Sequence, residues 1–238
     1  MRRRFFVDAF EADRAVLTGE SAHHLGRVLR AEPGQLYELS DGASVRLAKI
    51  ESSAPDRVEF SLLDALPVRV SSLHKTLLLG IVKFDAFEWA IEKATELGVD
   101  RIVPLAAARS EKGLLSAAGK RAERWKRILF EAAQQSRRVR LPELREMAAP
   151  GTAFRGEGGG LCVMLSERPG GKPLRQLLSG GGIARVTVAI GPEGGWTDEE
   201  FAEAREAGFC EATLGNLILR TETAVTACLA ALNYALEA

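Results

Sequence analysis

The sequence predicts an α/β protein in two parts, a small N-terminal β-barrel followed by a larger domain built on a parallel sheet. In residues 1–70, apolar residues alternate with polar ones between turn signals, which is typical of short strands with one buried face. From residue 73 onward, apolar runs of strand length alternate with segments of helical spacing. We therefore expect one domain over residues 1–70 and a second over residues 73–238.

The N-terminal strands are bounded by the turn dipeptides Pro33-Gly34 and Asp41-Gly42. One helical turn, from Ser21 to Arg30, interrupts them, with Ser21 as the expected cap. Arg27 and Arg30 lie on the polar side of this turn. The alternating residues that predict a small barrel are Leu36, Val45, Leu47, Val58, Phe60 and Leu62.

The C-terminal part has the pattern of a parallel sheet covered by helices on both faces. Gly98 is expected to end the first helix, and the last helix should run from about Glu222 to the C-terminus. Trp89 and Trp125 fall on apolar helix faces and are expected in the core. The predicted buried strands are 76–82, 101–105, 161–165 and 186–190.

Composition excludes several classes of protein. Hydrophobic residues make up 46% and charged residues 27% of the chain, which is ordinary for a globular protein with a core. The apolar stretch after the basic N-terminus stops at Asp8, and the run 224–232 is too short to cross a bilayer. We expect a soluble, cytoplasmic protein with no membrane partner. Three cysteines without a CxxC pair, and three histidines, predict neither disulfides nor a metal site.

The net charge of zero hides a basic segment. Residues 101–150 contain 12 Lys and Arg against 5 Asp and Glu, whereas residues 1–72 and 151–238 are both acidic overall. A local cationic surface is what binding to nucleic-acid phosphates requires. A long, solvated helix gives the same count, so the segment indicates RNA binding only weakly.

Three loops in the C-terminal third carry the candidate chemistry, because ligands of α/β sheets bind at the carboxyl ends of strands. They are Leu165-Ser166-Glu167-Arg168, Gly191-Pro192-Glu193-Gly194-Gly195 and the segment 214–223. Glycine lets backbone groups approach a ligand closely, although the second loop taken alone also fits a plain tight turn. The position and spacing of these glycines do not fit a dinucleotide-binding fingerprint. Thr197 and Glu200 predict a capping box for the helix that follows.

These loops, taken together, resemble the family of uridine N3-methyltransferases of small-subunit ribosomal RNA, within the SPOUT superfamily. The stretches that carry the resemblance extend from the barrel to the last helix. They are His23-His24-Leu25, Val28-Leu29-Arg30, Glu92 to Gly98, Arg109-Ser110, Ile190 to Gly195, Leu214-Gly215 and Ile218 to Ala224.

The resemblance implies a PUA-like N-terminal barrel, a C-terminal α/β domain with a trefoil knot, and a homodimer. It also implies that S-adenosylmethionine binds in the knot and that the substrate is 16S ribosomal RNA or the assembled small ribosomal subunit. The implied cofactor residues are Leu165, Ser166, Glu167, Ile190, Gly191, Pro192, Glu193, Gly194, Gly195, Leu214, Gly215, Leu219, Arg220, Thr221, Glu222 and Thr223.

The chain departs from the family pattern at three places. Asn216-Leu217 stands where the family usually has Pro-Arg, Lys83-Phe84-Asp85 where it often has Lys-Gly-Asp, and Trp196 where it more often has Phe. The missing arginine at position 217 puts in doubt any RNA contact assigned there. Arg220 and the threonines that follow it are intact.

Arg220 is the candidate catalytic residue. A permanently charged guanidinium beside the uracil carbonyls would stabilise the negative charge that develops as N3 loses its proton. The alternative is a structural arginine that binds loop carbonyls. Glu222 fits better as a charge at the start of the last helix than as a group that steers the base, and for Glu193 a structural role in the loop is equally open.

The candidate RNA contacts are basic residues from both predicted domains, each of which also fits a plain solvated charge. His24 fits a packed residue better than an RNA contact. Two other functions stay open, a ribose 2′-O-methyltransferase of the same superfamily and a non-catalytic RNA-binding protein with an inactive knot. The RNA candidates are Arg3, Arg4, Arg27, Arg30, Arg109 and Lys112.

Overall fold

The chain forms two units, each with its own hydrophobic core. The computed structural model describes residues 3–68, 71–157 and 159–237. The first unit comprises residues 1–70 and 133–141, and the second comprises residues 71–132 and 142–238. The segment 133–141 thus joins residues 1–70 in one unit, although more than sixty residues of the second unit separate the two stretches in sequence.

The first unit is a five-stranded sheet that curls into a half-barrel. The order across the sheet is β1-β3-β4-β5-β2, with β1 parallel to β3 and the other neighbours antiparallel. Two register shifts between β4 and β5 mark bulges, which bend strands and increase their twist. These strands are β1 (Arg4–Phe6), β2 (Arg14–Thr18), β3 (Leu36–Ser40), β4 (Val45–Ala54) and β5 (Arg57–Ala65).

A short helix follows β2 in this unit. Helix α1 (Gly19–His23) continues into a single π-helical turn, His24–Val28. It begins earlier than predicted, because Thr18 occupies the cap position with an extended backbone and Ser21 lies inside the helix. Leu25 is buried in the core of the half-barrel, and Arg27 is exposed.

Hydrogen bonds hold the segment 133–141 to β1 and β3. The Ser40 hydroxyl donates to the Val139 carbonyl over 2.6 Å. The Arg4 guanidinium donates to the Glu38 carboxylate over 2.9 Å and to the Arg137 carbonyl. Glu38 also lies 3.5 Å from the Arg137 guanidinium, so one buried carboxylate joins the two stretches of chain.

The second unit alternates strands and helices. Its strands are β6 (His74–Gly80), β7 (Arg101–Leu105), β8 (Glu143–Leu144), β9 (Leu161–Leu165), β10 (Lys172–Pro173), β11 (Arg185–Ile190) and β12 (Cys210–Thr213). Its helices are α2 (Phe84–Glu96), α3 (Lys112–Ala118), α4 (Ala122–Gln135), α5 (Pro150–Gly156), α6 (Leu174–Leu177), α7 (Asp198–Glu206) and α8 (Thr221–Leu236). The last three residues of α4, 133–135, belong to the first unit. Short 3₁₀ turns, Gly119–Arg121 and Leu178–Gly180, follow α3 and α6.

All seven strands run parallel, in the order β10-β12-β9-β11-β6-β7-β8. Alternate residues of each strand face opposite cores, as on β6, where Leu77 and Leu79 pack on one side and Leu78 on the other. The predicted α/β fold with an N-terminal barrel is therefore confirmed. The trefoil knot that the resemblance implies stays a prediction.

The two helical tryptophans have different environments. Trp125 is buried against Phe84 and Phe87, as predicted. Trp89 is 42% exposed, so its assignment to the core was wrong. The core face of α2 is formed by Phe87, Ala90, Ile91 and Ala94, and Trp89 points away from it because of the helical spacing.

Candidate functional site

The three predicted ligand loops follow three strands that are neighbours in the sheet. Strands β12, β9 and β11 are adjacent and parallel, so the loops after them emerge at the same edge. We call them the first loop (165–168, after β9), the second loop (190–195, after β11) and the third loop (214–223, after β12). The sequence placed each loop after a strand, and the sheet order brings them together.

The loops line one cavity of about 1480 Å³, which exceeds the ~300–1,000 Å³ typical of a single small-ligand site. Every predicted cofactor residue except Gly194 lies in its wall. The cavity therefore has room for a cofactor and for part of a second molecule. Among the residues that the structure describes, no group of three or more His, Cys, Asp or Glu is placed to hold a metal ion.

The second loop is a tight turn that lies directly on its neighbouring strand. The Gly195 amide donates to the Pro192 carbonyl over 2.8 Å, and Gly195 has a positive φ of 69°. On β6, a Cβ at Gly80 would lie 2.7 Å from the Pro192 nitrogen. Only glycine at position 80 allows this approach, which holds the loop against the end of β6.

Side-chain hydrogen bonds join the loops to each other and to a neighbouring segment. The Thr221 hydroxyl, in the third loop, donates to the Gly191 carbonyl in the second loop over 3.1 Å. The indole N–H of Trp196 donates to the Leu165 carbonyl over 3.1 Å. Arg109, after β7, donates to the Gly194 carbonyl over 2.9 Å. Hydrogen bonds from side chains to backbone carbonyls thus join the segments of the cavity wall.

Arg220 occupies the N-cap position of α8 without a capping hydrogen bond from its side chain, and this exposed residue lies in the cavity wall. Its guanidinium makes no hydrogen bond or ion pair with any residue that the structure describes. Glu222 lies in the first turn of α8, where a negative charge is favoured by the helix dipole. The predicted capping box of α7 is confirmed, since Thr197 accepts from the Glu200 amide and Glu200 accepts from the Thr197 amide.

Several cavity residues have no role in the sequence prediction. Lys83, Asp85 and Trp89 belong to the segment after β6, which neighbours β11 in the sheet. The sequence shows that these residues follow a buried strand. Only the sheet order, in which β6 lies beside β11, shows that they line the same cavity as the second loop. Trp196, treated as a substitution of the usual Phe, also lines the cavity.

The predicted RNA contacts belong to both units and differ in their surroundings. In the first unit Arg3, Arg27 and Arg30 are exposed, whereas the Arg4 side chain is 11% exposed and pairs with Glu38. In the second unit Lys112 is exposed at the start of α3, and Arg109 binds the second loop.

Much of the positive charge in residues 101–150 is paired with carboxylates. Arg121 and Arg124 both contact Glu88, and Arg101 contacts Glu143 and Glu157. The segment is also divided, because residues 133–141 belong to the first unit. The excess of +7 counted along the sequence is therefore divided between the two units, and ion pairs neutralise part of it.

Comparison with known proteins identifies the class. Residues 69–233 match the model of the RNA methyltransferase domain, and residues 17–63 match the model of the RNA methyltransferase PUA domain. With the half-barrel and the cavity at the sheet edge, these matches define an RNA methyltransferase with an N-terminal PUA domain.

Individual relatives narrow the class to a family. Ribosomal RNA small subunit methyltransferase E of Synechocystis is 34% identical, over 93% of this chain and 73% of its own. The Bacillus subtilis protein of the same name is 29% identical, over 99% and 97%. The crystal structure of ribosomal RNA small subunit methyltransferase E from Neisseria gonorrhoeae bound to S-adenosylmethionine superposes with a TM-score of 0.87, at 29% identity, over 99% and 98%. The chain belongs to the ribosomal RNA small subunit methyltransferase E family.

Proposed function

We propose that this protein transfers the methyl group of S-adenosylmethionine to N3 of a specific uridine in 16S ribosomal RNA. The observation that carries the proposal is the convergence of three loops of neighbouring strands on one cavity, with Arg220, unpaired among the described residues, in its wall. Family membership identifies the reaction class, since the related Neisseria gonorrhoeae enzyme was crystallised with the same cofactor.

The loops fit this cofactor chemically. An adenosine and an amino-acid group need many hydrogen bonds, and loops rich in glycine leave their backbone amides and carbonyls accessible. The second loop and the start of the third loop would hold the cofactor mainly through such groups, with Ser166 and Glu167 of the first loop beside them. When bound, S-adenosylmethionine supplies an activated methyl group.

The protein then contributes positioning and charge. Good orientation of two reactants accounts for on the order of 7–11 kcal/mol of barrier reduction. Uridine N3–H is occupied in a base pair, so the target nucleotide must be unpaired or turned out of its helix. The cavity is larger than one small ligand requires, so the uracil would bind in it beside the cofactor. Arg220 would face its carbonyls and stabilise the uridinate that forms as N3 loses its proton.

Arg220 suits this role because no residue that the structure describes neutralises its charge. A structural arginine would bind loop carbonyls, as Arg109 does at Gly194. Among the described residues, the Arg220 guanidinium has no such partner. An exposed guanidinium at a cavity wall keeps its donors available for a substrate.

We assign RNA binding to the domain of residues 1–70 and methyl transfer to that of residues 73–238. Arg27 and Arg30 of the first unit are exposed, and we propose that they contact phosphates. We propose that the substrate is 16S ribosomal RNA, either free or in the assembled small subunit. The reaction would take place inside the cell, where ribosomal RNA is found. Among the described residues, no helix has the length and apolar character needed to cross a membrane.

We further propose that the protein acts as a homodimer. The support is a set of large apolar side chains that the single chain leaves in water, since such residues favour a protein contact. Leu217 is 83% exposed, Ile218 78% and Tyr234 94%. Leu217 and Ile218 belong to the third loop and Tyr234 to α8, which that loop leads into. Sedimentation equilibrium tests this proposal directly, and a monomer at micromolar concentration would refute it.

The deciding experiment compares modified nucleosides in ribosomal RNA from cells with and without this protein. We expect loss of one N3-methyluridine in 16S ribosomal RNA and its return when the gene is restored. Loss of a ribose 2′-O-methyl group instead would identify the alternative reaction. Calorimetry with S-adenosylmethionine excludes a non-catalytic RNA-binding protein if one site per chain is measured.

A further inference from the structure

Trp196 stands directly after the second loop and is 3% exposed. It belongs to the core on one face of the sheet, where Phe154 meets its ring edge-on at 5.9 Å between centroids. Trp196 nevertheless also lines the cavity. The side chain is therefore fixed by packing on one side and available to the ligand loops on the other.

The polar edge of Trp196 holds the first loop. Its indole N–H donates to the Leu165 carbonyl over 3.1 Å, in a buried hydrogen bond between residues 31 positions apart. A buried carbonyl that loses its donor is destabilised, and the surrounding chain shifts to find another partner. The position of Leu165, at the start of the first loop, thus depends on this bond.

The ring of Trp196 supports the second loop. A Cβ built at Gly191 would lie 3.0 Å from Cε2 and 3.1 Å from Nε1 of the indole, so the Gly191 backbone lies directly against the ring. The Gly191 carbonyl in turn accepts the hydrogen bond from Thr221 of the third loop. One rigid ring is thus in contact with the first and second loops, and through Gly191 it is linked to the third.

We infer that Trp196 is a positioning residue for the methyl donor, which sets the distance between the first and second loops before the cofactor binds. Loops that bind a ligand mainly through backbone groups cannot adjust by rotating side chains, so their separation has to be fixed from outside. An indole does this in two ways, with a hydrogen-bond donor for one loop and a rigid ring in contact with the other. The inference rests on the proposed function, because it assigns the cavity to S-adenosylmethionine.

The test replaces Trp196 with phenylalanine, which keeps an aromatic ring and removes the N–H donor. Trp196→Phe should bind S-adenosylmethionine about tenfold more weakly by calorimetry, and its KM for the cofactor should rise by a similar factor. The value of kcat at saturating cofactor should stay within about threefold of the wild type. In the ligand-free protein, amides of residues 165–168 and 191–195 should exchange hydrogen faster.

Trp125→Phe is the matched control. Trp125 is equally buried, at 3% exposure, but its indole N–H has no hydrogen-bond partner among the described residues and it lies outside the cavity wall. This variant loses the same ring volume from a core and no hydrogen bond. It should bind the cofactor as the wild type does and leave exchange in the two loops unchanged.

Equal cofactor affinity for Trp196→Phe and Trp125→Phe would overturn the inference, while leaving the proposed function intact. Failure of the wild-type protein to bind S-adenosylmethionine would instead overturn the proposed function. If Trp196→Phe does not fold, 3-benzothienylalanine incorporated at position 196 preserves the ring size and replaces only the N–H by sulfur. Wild-type affinity with that side chain would also refute the role of the hydrogen bond.

Discussion

The groups assigned to function are organised differently in the two units. In the second unit, the three ligand loops share one cavity wall and are joined by hydrogen bonds to Leu165, Gly191 and Gly194. In the first unit, Arg27 and Arg30 are exposed charges without an ion-pair partner among the described residues. Substitutions in the cavity should therefore have large effects on binding or rate, and those on the half-barrel surface should have small, additive effects that depend on salt.

The largest expected effect is that of Arg220→Ala. If Arg220 stabilises charge in the transition state, kcat falls by on the order of 10²–10³, as when an oxyanion donor is removed, while cofactor affinity changes little. Arg220→Lys should recover only part of the rate, because an ammonium lacks the planar fork. Raising the pH should partly rescue Arg220→Ala, since an ionised uridine no longer has to lose its proton. Single-turnover methylation and calorimetry provide the measurements.

Arg205→Ala is the control for this prediction, because Arg205 is an exposed arginine on α7 outside the cavity wall. It should react at the wild-type rate. If Arg220→Ala loses cofactor binding, or unfolds by circular dichroism, while each bound complex reacts normally, then Arg220 is a structural residue.

The next effect is on cofactor binding. Gly195 has φ +69°, and a Cβ there would lie 3.6 Å from the Glu167 carboxylate across the cavity. Gly195→Val forces a branched residue into a left-handed conformation, at a cost of roughly 1–2 kcal/mol, and crowds the first loop. We expect at least a tenfold loss of S-adenosylmethionine affinity by calorimetry.

Gly208→Val separates the two causes. Gly208 has φ +86° and open space around its Cβ position, and it lies outside the cavity wall. This variant carries the same backbone strain without crowding a loop, so it should lose stability and keep its cofactor affinity. Equal affinity losses in both variants would mean that strain alone, rather than the loop geometry, weakens binding.

A third prediction compares ion pairs of the two units. Lys75, 1% exposed, donates to the Leu97 carbonyl, to Asn233 and to Glu237 over 2.6–3.1 Å. Lys75→Met should lower the free energy of unfolding by about 1–3 kcal/mol, since three hydrogen-bond acceptors lose a buried, charged donor. In the first unit, Lys49→Met removes an exposed pair with Glu51 and should change stability by less than about 1 kcal/mol. Urea denaturation measures both, and equal effects would contradict the comparison.

The same network predicts a pH dependence. Burial would raise the pKa of the Glu237 carboxyl, but hydrogen bonds from Lys75 and Ser71 outweigh it and hold that pKa below its usual value. A carboxyl whose pKa is lower in the folded protein stabilises the fold at any pH above its pKa in the unfolded chain, ~4.3. This stabilisation is lost as the pH falls through the pKa of the folded protein. Lys75→Met should therefore flatten the loss of stability below about pH 4. If Lys75→Met loses as much stability below about pH 4 as the wild type does, measured by urea denaturation, then Glu237 is not coupled to Lys75.

The smallest effects are expected on the half-barrel. Arg27→Gln and Arg30→Gln should each weaken RNA binding a few-fold and reduce the slope of log affinity against log salt by about 1, because each removes one phosphate contact. Arg4→Gln should instead lower stability, since Arg4 pairs with the buried Glu38. Fluorescence anisotropy at several salt concentrations measures the slopes. A wild-type slope in both Arg27→Gln and Arg30→Gln would show that neither arginine contacts the RNA.

The fold was largely predictable because its signals are local. The change from alternating to helical spacing near residue 73, the turns at Pro33-Gly34 and Asp41-Gly42, and the capping box at Thr197 all depend on residues close in sequence. Trp89 shows the limit of such signals. A large aromatic residue predicts burial, but the direction of its side chain depends on which face of α2 meets the sheet.

The candidate site was only partly predictable. The sequence identified three loops after three strands, since glycine and polar residues at strand ends are visible in the chain. That they share one cavity depends on the order β12-β9-β11, which parallel pairing of distant strands decides. The family resemblance predicted the residues of these loops. It did not predict the hydrogen bonds that join the loops to each other.

By itself, the sequence determined the two-part α/β organisation, the positions of the ligand loops and the family to which the chain belongs. Only the tertiary structure decided that residues 133–141 pack with the half-barrel, that carboxylates pair much of the basic segment, and that Trp196 reaches Leu165. The physical reason is range. Propensity, capping and turn geometry act within a few residues, whereas a hydrogen bond or ion pair between residues tens of positions apart forms only after the sheet has set their distance.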